Sequence, residues 1–315
     1  MRYIGGRLLQ AVIIMFCVTT ALFALLRSVP GNPASVLAGP GATPQVIAAI
    51  SAKYGFNKPV LIQYFEWLGH MVRGDFGTSV VYQRPVISLI GQAVQPTVQL
   101  LIGSLVVAVI VGTGLGVLAA TRHRRLSDVL VGYFTATFLG VPVFWTGLLA
   151  ILLLAVKVHL LPSGGSADIF QHPGTALADL VLPSLTLGLA IGSVLVRFVR
   201  SAMLEVLSAD FIRTARAKGA SPARVVWRHG LRNALVPVVT VLGIQLGALI
   251  GGAVVIEAVF ARPGMGLLLT NAILGRDYPV VLGVVFLLVG TFCICNLVVD
   301  LLYGVIDPRI RTARR

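Results

Sequence analysis

Five histidines, three cysteines and one basic loop are the places in this 315-residue sequence where chemistry could reside. His70, His123, His159, His172 and His229 are scattered and mostly flank apolar stretches, so they do not form a metal-ligand pattern. Cys17, Cys293 and Cys295 fall inside apolar stretches and read as small hydrophobes, not as disulfide partners or metal ligands. Neither a G-x-x-x-x-G-K-[ST] phosphate loop nor an H-E-x-x-H zinc motif is present. No apolar stretch holds a mid-span carboxylate of the kind a proton- or sodium-coupled transporter uses, and Glu257 and Asp300 stand at stretch ends. None pairs a nucleophile with a base, as an intramembrane enzyme would need.

The basic loop, residues 197–232, is different because its punctuation defines structure. Asp210 is placed to cap a helix running from Phe211 through Arg213, Thr214, Ala215, Arg216 and Ala217 to Lys218, and Gly219 stands where a helix stop is expected. Ser221 is a second cap, with Pro222 at the next first position. The helix that follows carries Arg224, Arg228, His229 and Arg232 and runs to about Asn233. A loop that merely fixed topology would not need two helices around a glycine. Its chemistry is that of a docking surface for another protein.

The elements that must carry this loop are membrane spans. Of all residues 57% are hydrophobic and only 11% charged, against roughly 25% charged in soluble domains. A span needs about 20 apolar residues. Six stretches of about that length carry little or no charge: 8–26, 96–121, 129–156, 180–196, 233–256 and 278–299. The fourth is short, so its helix runs on past Arg197, which can snorkel to the interface. The first could be a secretory leader, but its apolar core is 19 residues and Arg27 follows directly, so it reads as a span. The sequence therefore predicts an all-α integral membrane protein with six transmembrane helices. A net charge of +14 could suggest nucleic acid, but the charge is sided. Of the 25 Lys and Arg, 17 lie at the N-terminus, in 122–125, in the 197–232 loop and in the tail. The other 8 are Arg27, Lys53, Lys58, Arg73, Arg84, Lys157, Arg262 and Arg276. The positive-inside rule places both termini and the basic loop in the cytosol and excludes a nucleic-acid role.

The first outer segment, 30–95, has its own helix signals. Thr43 caps a helix opened by Pro44 and ended by Gly55, and Pro59 opens a second, 60–72, closed by Gly74. These helices either pack on the outer membrane face or receive an external partner. The outer stretch 159–178 reads as irregular, and 257–277 as a turn-rich link with a short helix at 267–274. Gly243, Gly247 and Gly251 recur every four residues in the fifth span and predict close helix packing, within the chain or against another subunit. Gly112, Gly114 and Gly116 form a looser set in the second, and Pro142 kinks the third.

Longer motifs carry a resemblance. VRFVRSAMLEVL at 196–207, ADFIRTARAKG at 209–219 and HGLRNALVP at 229–237 resemble the cytosolic loop of ABC importer permeases. With YGFNKP (54–59), RGDFG (73–77), RPGMG (262–266), RDYPVV (276–281), DLLY (300–303) and DPRIR (307–311), nearly the whole chain is similar to the B-type permease subunit of dipeptide and oligopeptide importers. The wider signature is Glu-Ala-Ala, three residues, then Gly. Ala215 and Gly219 match it, whereas Arg213 and Thr214 stand where Glu and Ala would.

The resemblance implies a type I ABC importer permease fold in a bacterial cytoplasmic membrane, with no catalytic residue and no cofactor or metal in this chain. It implies a homologous C-type permease as partner, two cytosolic ATPase subunits that hold ATP and Mg, and an extracytoplasmic peptide-binding protein docking on 30–95 and 257–277. The helix before Gly219 would couple to an ATPase, and the second to fifth spans would line the path of a di- or oligopeptide. Nickel chelates, glutathione or another small solute are alternative cargoes on the same fold, and an ATPase-independent channel or exporter is a distant one. The implied organisation is 1–29 (N-terminus and first span), 30–95 (outer helical segment), 96–308 (permease core with the loop 203–234) and 309–315 (basic tail).

Overall fold

Lipid offers the backbone no hydrogen bonds, so apolar stretches of this length must satisfy their amides internally, and they do so as helices. The computed structural model describes residues 2–28, 33–39, 41–53, 55–167 and 169–306. The tail 309–315, the DPRIR motif and Tyr54 lie outside the described residues.

The helices in chain order are α1 (Arg2–Ser28), α2 (Pro33–Ala38), α3 (Pro44–Lys53), α4 (Val60–Val72), α5 (Val86–Thr121), α6 (Leu126–Gly140) and α7 (Val143–Ala150). A π-helical segment, Ile151–Lys157, extends α7. Then come α8 (Pro173–Ser208), α9 (Asp210–Ala217), α10 (Pro222–Arg224), a second π-helical segment (Val225–Leu231), α11 (Arg232–Val259), α12 (Met265–Leu274) and α13 (Tyr278–Ile306). Among the described residues five helices are long and apolar enough to cross a membrane, and α6 with α7 makes a sixth if that pair is one span bent by 105°. Pro142 at the break was expected to kink the third span; the bend is sharper than a kink. α5 starts ten residues before the expected stretch. Its first turns carry Ser88 and Gln92, yet bury Val86, Leu89 and Ile90 on one face.

The chain forms two compact units, one of residues 1–95 with 267–294 and one of 96–266 with 295–315. In the first, α3 and α4 form where Pro44 and Pro59 open them, and Gly55 and Gly74 end them at φ +68° and +82°. The Gln63 amide spans their junction, donating to Phe56 O (3.1 Å) and Lys58 O (2.6 Å). α4 lies on α1 through Tyr64, whose hydroxyl is 2.8 Å from Thr20 Oγ1 and whose ring meets Phe23 edge-on at 5.4 Å. Asp277 is fully buried before α13. Its carboxylate accepts from Ser79 Oγ at 2.5 Å and from the Val80 and Val81 amides at 3.2 Å, pinning the 77–85 loop.

In the second unit α8 is central, with two thirds of its apolar window buried. α7 and α11 pack on it around Leu182, Leu187, Leu195, Met203, Ile256 and Phe260, and α6 packs on it separately through Val131, clustered with Val196. α5 meets α8 through small residues. A methyl group on Gly192 would lie 3.2 Å from Ala108 Cα, and one on Gly112 2.5 Å from Leu195 Cβ.

A buried polar knot ties the end of α11 to α5. Glu257, fully buried, accepts from Thr97 Oγ1 (2.6 Å) and the Gly266 amide (2.6 Å). Arg262, 1% exposed, donates to Pro96 O, Gly165 O and Gln99 Oε1 at 3.2, 3.1 and 2.7 Å. Burial lowers the guanidinium's pKa, and Glu257 and Asp179 oppose that.

Candidate functional site

Residues 197–208, expected as the start of the basic loop, complete α8, and the loop proper begins after Ser208. Ala209 turns extended (φ −70°, ψ 152°) and its amide still closes on Val206 O at 3.1 Å. α9 follows at once, so Asp210 is its first residue and not its cap, and no side chain caps this helix. That corrects the sequence expectation. The cap position is taken one residue earlier by the residue that breaks α8, and Asp210 serves only as negative charge at the helix's positive end. Its carboxylate is 3.5 Å from Arg213 on an exposed pair of little energetic weight.

The stop is as expected and its mechanism is visible. The Ala220 amide bonds back to Ala215 O (3.1 Å) and the Gly219 amide to Arg216 O (2.9 Å), the two bonds of a Schellman turn. That turn needs a left-handed residue between them, and Gly219 supplies φ +78°. Ser221 then caps α10 by accepting from the Arg224 amide at 3.4 Å, with Pro222 following as predicted. The chain continues through the π-helical segment directly into α11, so the expected break near Asn233 is absent.

α9 is held by one face and open on the others. Ile212 is fully buried and Ala215 half-buried, while Phe211, Arg213, Thr214, Arg216, Ala217, Lys218 and Gly219 are exposed. Phe211 leaves 48% of its surface open, and Trp227 on the π-helical segment 57%. The sequence reading passed over Trp227. In the sequence it is one large aromatic in a basic stretch, and the burial of nearby Val225 is what turns it outward. Beneath it, a methyl on Gly230 would touch Met203 and Leu207 of α8 at 3.2 and 3.3 Å, so this segment lies close on the α8 stalk.

The stalk is braced by a group the sequence did not mark. Arg200 forks onto Asp128, Nε to Oδ1 at 2.7 Å and NH2 to Oδ2 at 2.9 Å. The Arg124 amide donates to Asp128 Oδ2 at 3.0 Å, and His123 Nδ1 lies 3.1 Å from it. This joins α8 to the turn between α5 and α6.

The packing glycines divide. A methyl on Gly243 would collide with Val299 of α13, as close packing requires. Gly247 is half-buried, and Gly251 is exposed with open space beside it. Gly252 takes the close contact instead, a methyl there lying 2.6 Å from Leu187 Cδ1. The four-residue spacing gave a face but not the rotation that turns α11 toward α8.

No group of three or more His, Cys, Asp or Glu among the described residues could hold a metal. The arrangement as a whole is a set of apolar spans carrying a braced stalk and a short, basic, aromatic-tipped helix.

Known proteins share this chain's sequence and its fold. Residues 112–312 match the family described as binding-protein-dependent transport system inner membrane component, and residues 1–111 match its N-terminal part. The chain is 42% identical over 309 residues, 98% of this chain and 99% of the other, to a Sinorhizobium fredii protein named "Probable peptide ABC transporter permease protein y4tP". It is also 42% identical over 311 residues, 99% of each chain, to the glutathione transport system permease protein GsiC of Escherichia coli K12. Among solved structures, an inward-facing MetNI methionine ABC transporter chain superposes with a TM-score of 0.56 at 21% identity, covering 70% of this chain and 96% of that one. The chain belongs to the binding-protein-dependent transport system inner membrane component family. It is an ABC importer permease, a multi-pass inner-membrane transport subunit.

Proposed function

We propose that this permease takes up short peptides, glutathione-like tripeptides included, released to it by an external binding protein, and that α9 is the element through which ATPase subunits drive it. The observation that carries the reading is α9 itself. It is a separate helix, anchored by one buried residue, Ile212, and fixed at its end by Gly219, with cations and an aromatic ring left free to meet a partner. Asp210, Phe211, Arg213, Thr214, Ala215, Arg216, Ala217, Lys218 and Gly219 form this coupling element. Gly243, Gly247 and Gly251 are packing positions, Gly243 inside the chain and Gly251 toward a second permease. ATP and Mg belong to the ATPases, both termini and α9 lie in the cytosol, and segments 30–95 and 257–277 face the binding protein. The peptide reading is supported by relatives named for peptide and glutathione transport at equal identity.

The test is uptake of labelled dipeptide, oligopeptide and glutathione by cells expressing the complete transporter, with wild type against Gly219→Pro. Proline cannot adopt φ +78° and removes the amide that closes α9. Membrane insertion should persist while uptake and ATPase co-purification fall. Undiminished uptake would remove α9 from the coupling role, and failure of all three substrates in wild type would remove the peptide assignment.

A further inference from the structure

The first unit holds a cleft of about 580 Å³ for which the transport reading names no occupant. That volume is within the roughly 300–1,000 Å³ range of small-ligand sites. The cleft lies where the last turn of α1 and the first turn of α13 meet α4 and the turn before it, and its walls include Phe23, Arg27, Phe56, Trp67, Tyr278 and Leu282. The ends of two membrane-spanning helices thus form one side of it, which sets the cleft at headgroup depth.

Its charges are unevenly matched. Lys58 is paired with Glu66 at 2.7 Å and His70 with Asp75 at 2.9 Å. Arg27 has no carboxylate among the described residues. Its guanidinium lies 5.9 Å from the Phe23 ring centre and 5.5 Å from that of Phe56, a cation held between two aromatic faces. A second group points the same way. The Trp67 indole N–H is buried with no hydrogen-bond partner among the described residues. A buried donor left unmet is unfavourable, and an acceptor in the cleft would relieve it once the Trp67 ring turned its N–H outward.

An apolar body, one uncompensated guanidinium and one unmet donor call for an amphiphile with an anionic head. We propose that this cleft is a binding site for a phospholipid of the surrounding leaflet, its phosphate on Arg27 and its upper acyl chain along Phe23, Leu26 and Leu282. A phosphate accepts two hydrogen bonds from a guanidinium fork and has oxygens to spare for an indole N–H. The lipid would then hold α1, α4 and α13 together at the membrane surface. A peptide carboxylate offers the same acceptor chemistry, and the experiment separates the two.

The assembled transporter is placed in phosphatidylethanolamine vesicles doped either with photoactivatable phosphatidylglycerol or with a photoactivatable diacylglycerol of the same chains. Adducts are mapped by mass spectrometry. The phospholipid probe should label peptides containing Phe23 and Phe56 about tenfold more than the diacylglycerol. Arg27→Gln should remove that excess, Arg27→Lys should retain part of it, and labelling of the other spans should not change. Equal labelling by the two probes, or an undiminished excess in Arg27→Gln, overturns the proposal. So does labelling abolished by excess dipeptide, which would make the cleft a peptide site. If Arg27→Gln does not assemble, Trp67→Phe keeps an aromatic ring there and deletes the donor. A fall of about threefold is expected there, and unchanged labelling overturns the proposal equally.

Discussion

The closeness of α5 and α8 can be tested with single methyl groups. A β-carbon on Gly188 would lie 2.6 Å from Val107 Cβ and 2.7 Å from the Ser104 carbonyl oxygen. Carbon contacts are comfortable at about 3.5–4.0 Å, so the two helices would have to part by about 1 Å. The carbonyl is backbone and cannot swing aside. Overpacking of this kind costs about 1–3 kcal/mol, against which alanine recovers up to about 1 kcal/mol of helix propensity. Gly188→Ala should therefore be less stable than an unhindered Gly→Ala in the same helices by the whole overpacking cost, about 1–3 kcal/mol, or about 2–12 °C in Tm at the scaling of domains of 150–250 residues. Gly192→Ala meets Ala108 Cα and O at 3.2 and 3.3 Å and needs a shift of only a few tenths of an ångström, so its effect should be smaller. Gly114→Ala on the exposed side of α5 meets nothing within 4 Å and should be neutral or slightly stabilising. The assay is thermal unfolding in mild detergent, read with a thiol-reactive dye on Cys293 and Cys295 in a Cys17→Ser background, because Cys17 is exposed in the folded chain. If Gly188→Ala and Gly114→Ala melt together, the helices are not in contact as described.

Three further outcomes are expected. Arg200→Ala leaves the buried Asp128 carboxylate without its fork and should cost about 1–3 kcal/mol, with Arg200→Lys about half as harmful because it keeps charge but not the two-pronged geometry. An unchanged melt in Arg200→Ala would refute the brace. Asp277→Ala frees the Val80 and Val81 amides, and their hydrogen exchange should accelerate about ten- to hundredfold while that of Tyr64 in α4 stays as it was. Trp227→Ser and Phe211→Ser, both at exposed sites, should alter stability by no more than about 0.5 kcal/mol yet weaken ATPase co-purification about tenfold. Full retention of the ATPases by the double variant would show that another surface holds them.

What could be read from the sequence was what is decided locally. Gly55, Gly74 and Gly219 end helices because left-handed backbone is a property of one residue, and all three were legible. Ala261 and Arg276 take the same conformation at φ +49° and +54° after α11 and α12. Nothing in an alanine or an arginine announces that, since the tertiary structure imposes it. The span count followed from lipid's demand for long apolar stretches. Partners far apart in sequence were beyond reach: Arg200 and Asp128 are 72 residues apart, Thr97 and Glu257 160, Ser79 and Asp277 198. α9 was legible but for its cap, because the break of α8 at Ala209 shifts the frame by one residue. Trp227 shows the same limit. A tryptophan between Val226 and Arg228 can face inward or outward, and only the packing of Val225 and Gly230 against the stalk decides it.

The 105° break between α6 and α7 has a consequence for solvent. A straight helix passes every amide to a carbonyl four residues back, whereas a break strands several of each. Here the Val141 amide still reaches Thr137 O, and the Trp145 and Thr146 amides fold back onto Pro142 O, but Leu139, Gly140 and Pro142 around the corner are exposed in the single chain. Hydrocarbon cannot solvate a peptide group, so irregular backbone at membrane depth survives only against protein or against water. If α6 and α7 form one span, this corner lies at membrane depth, and there its backbone requires water or protein beside it, not acyl chains.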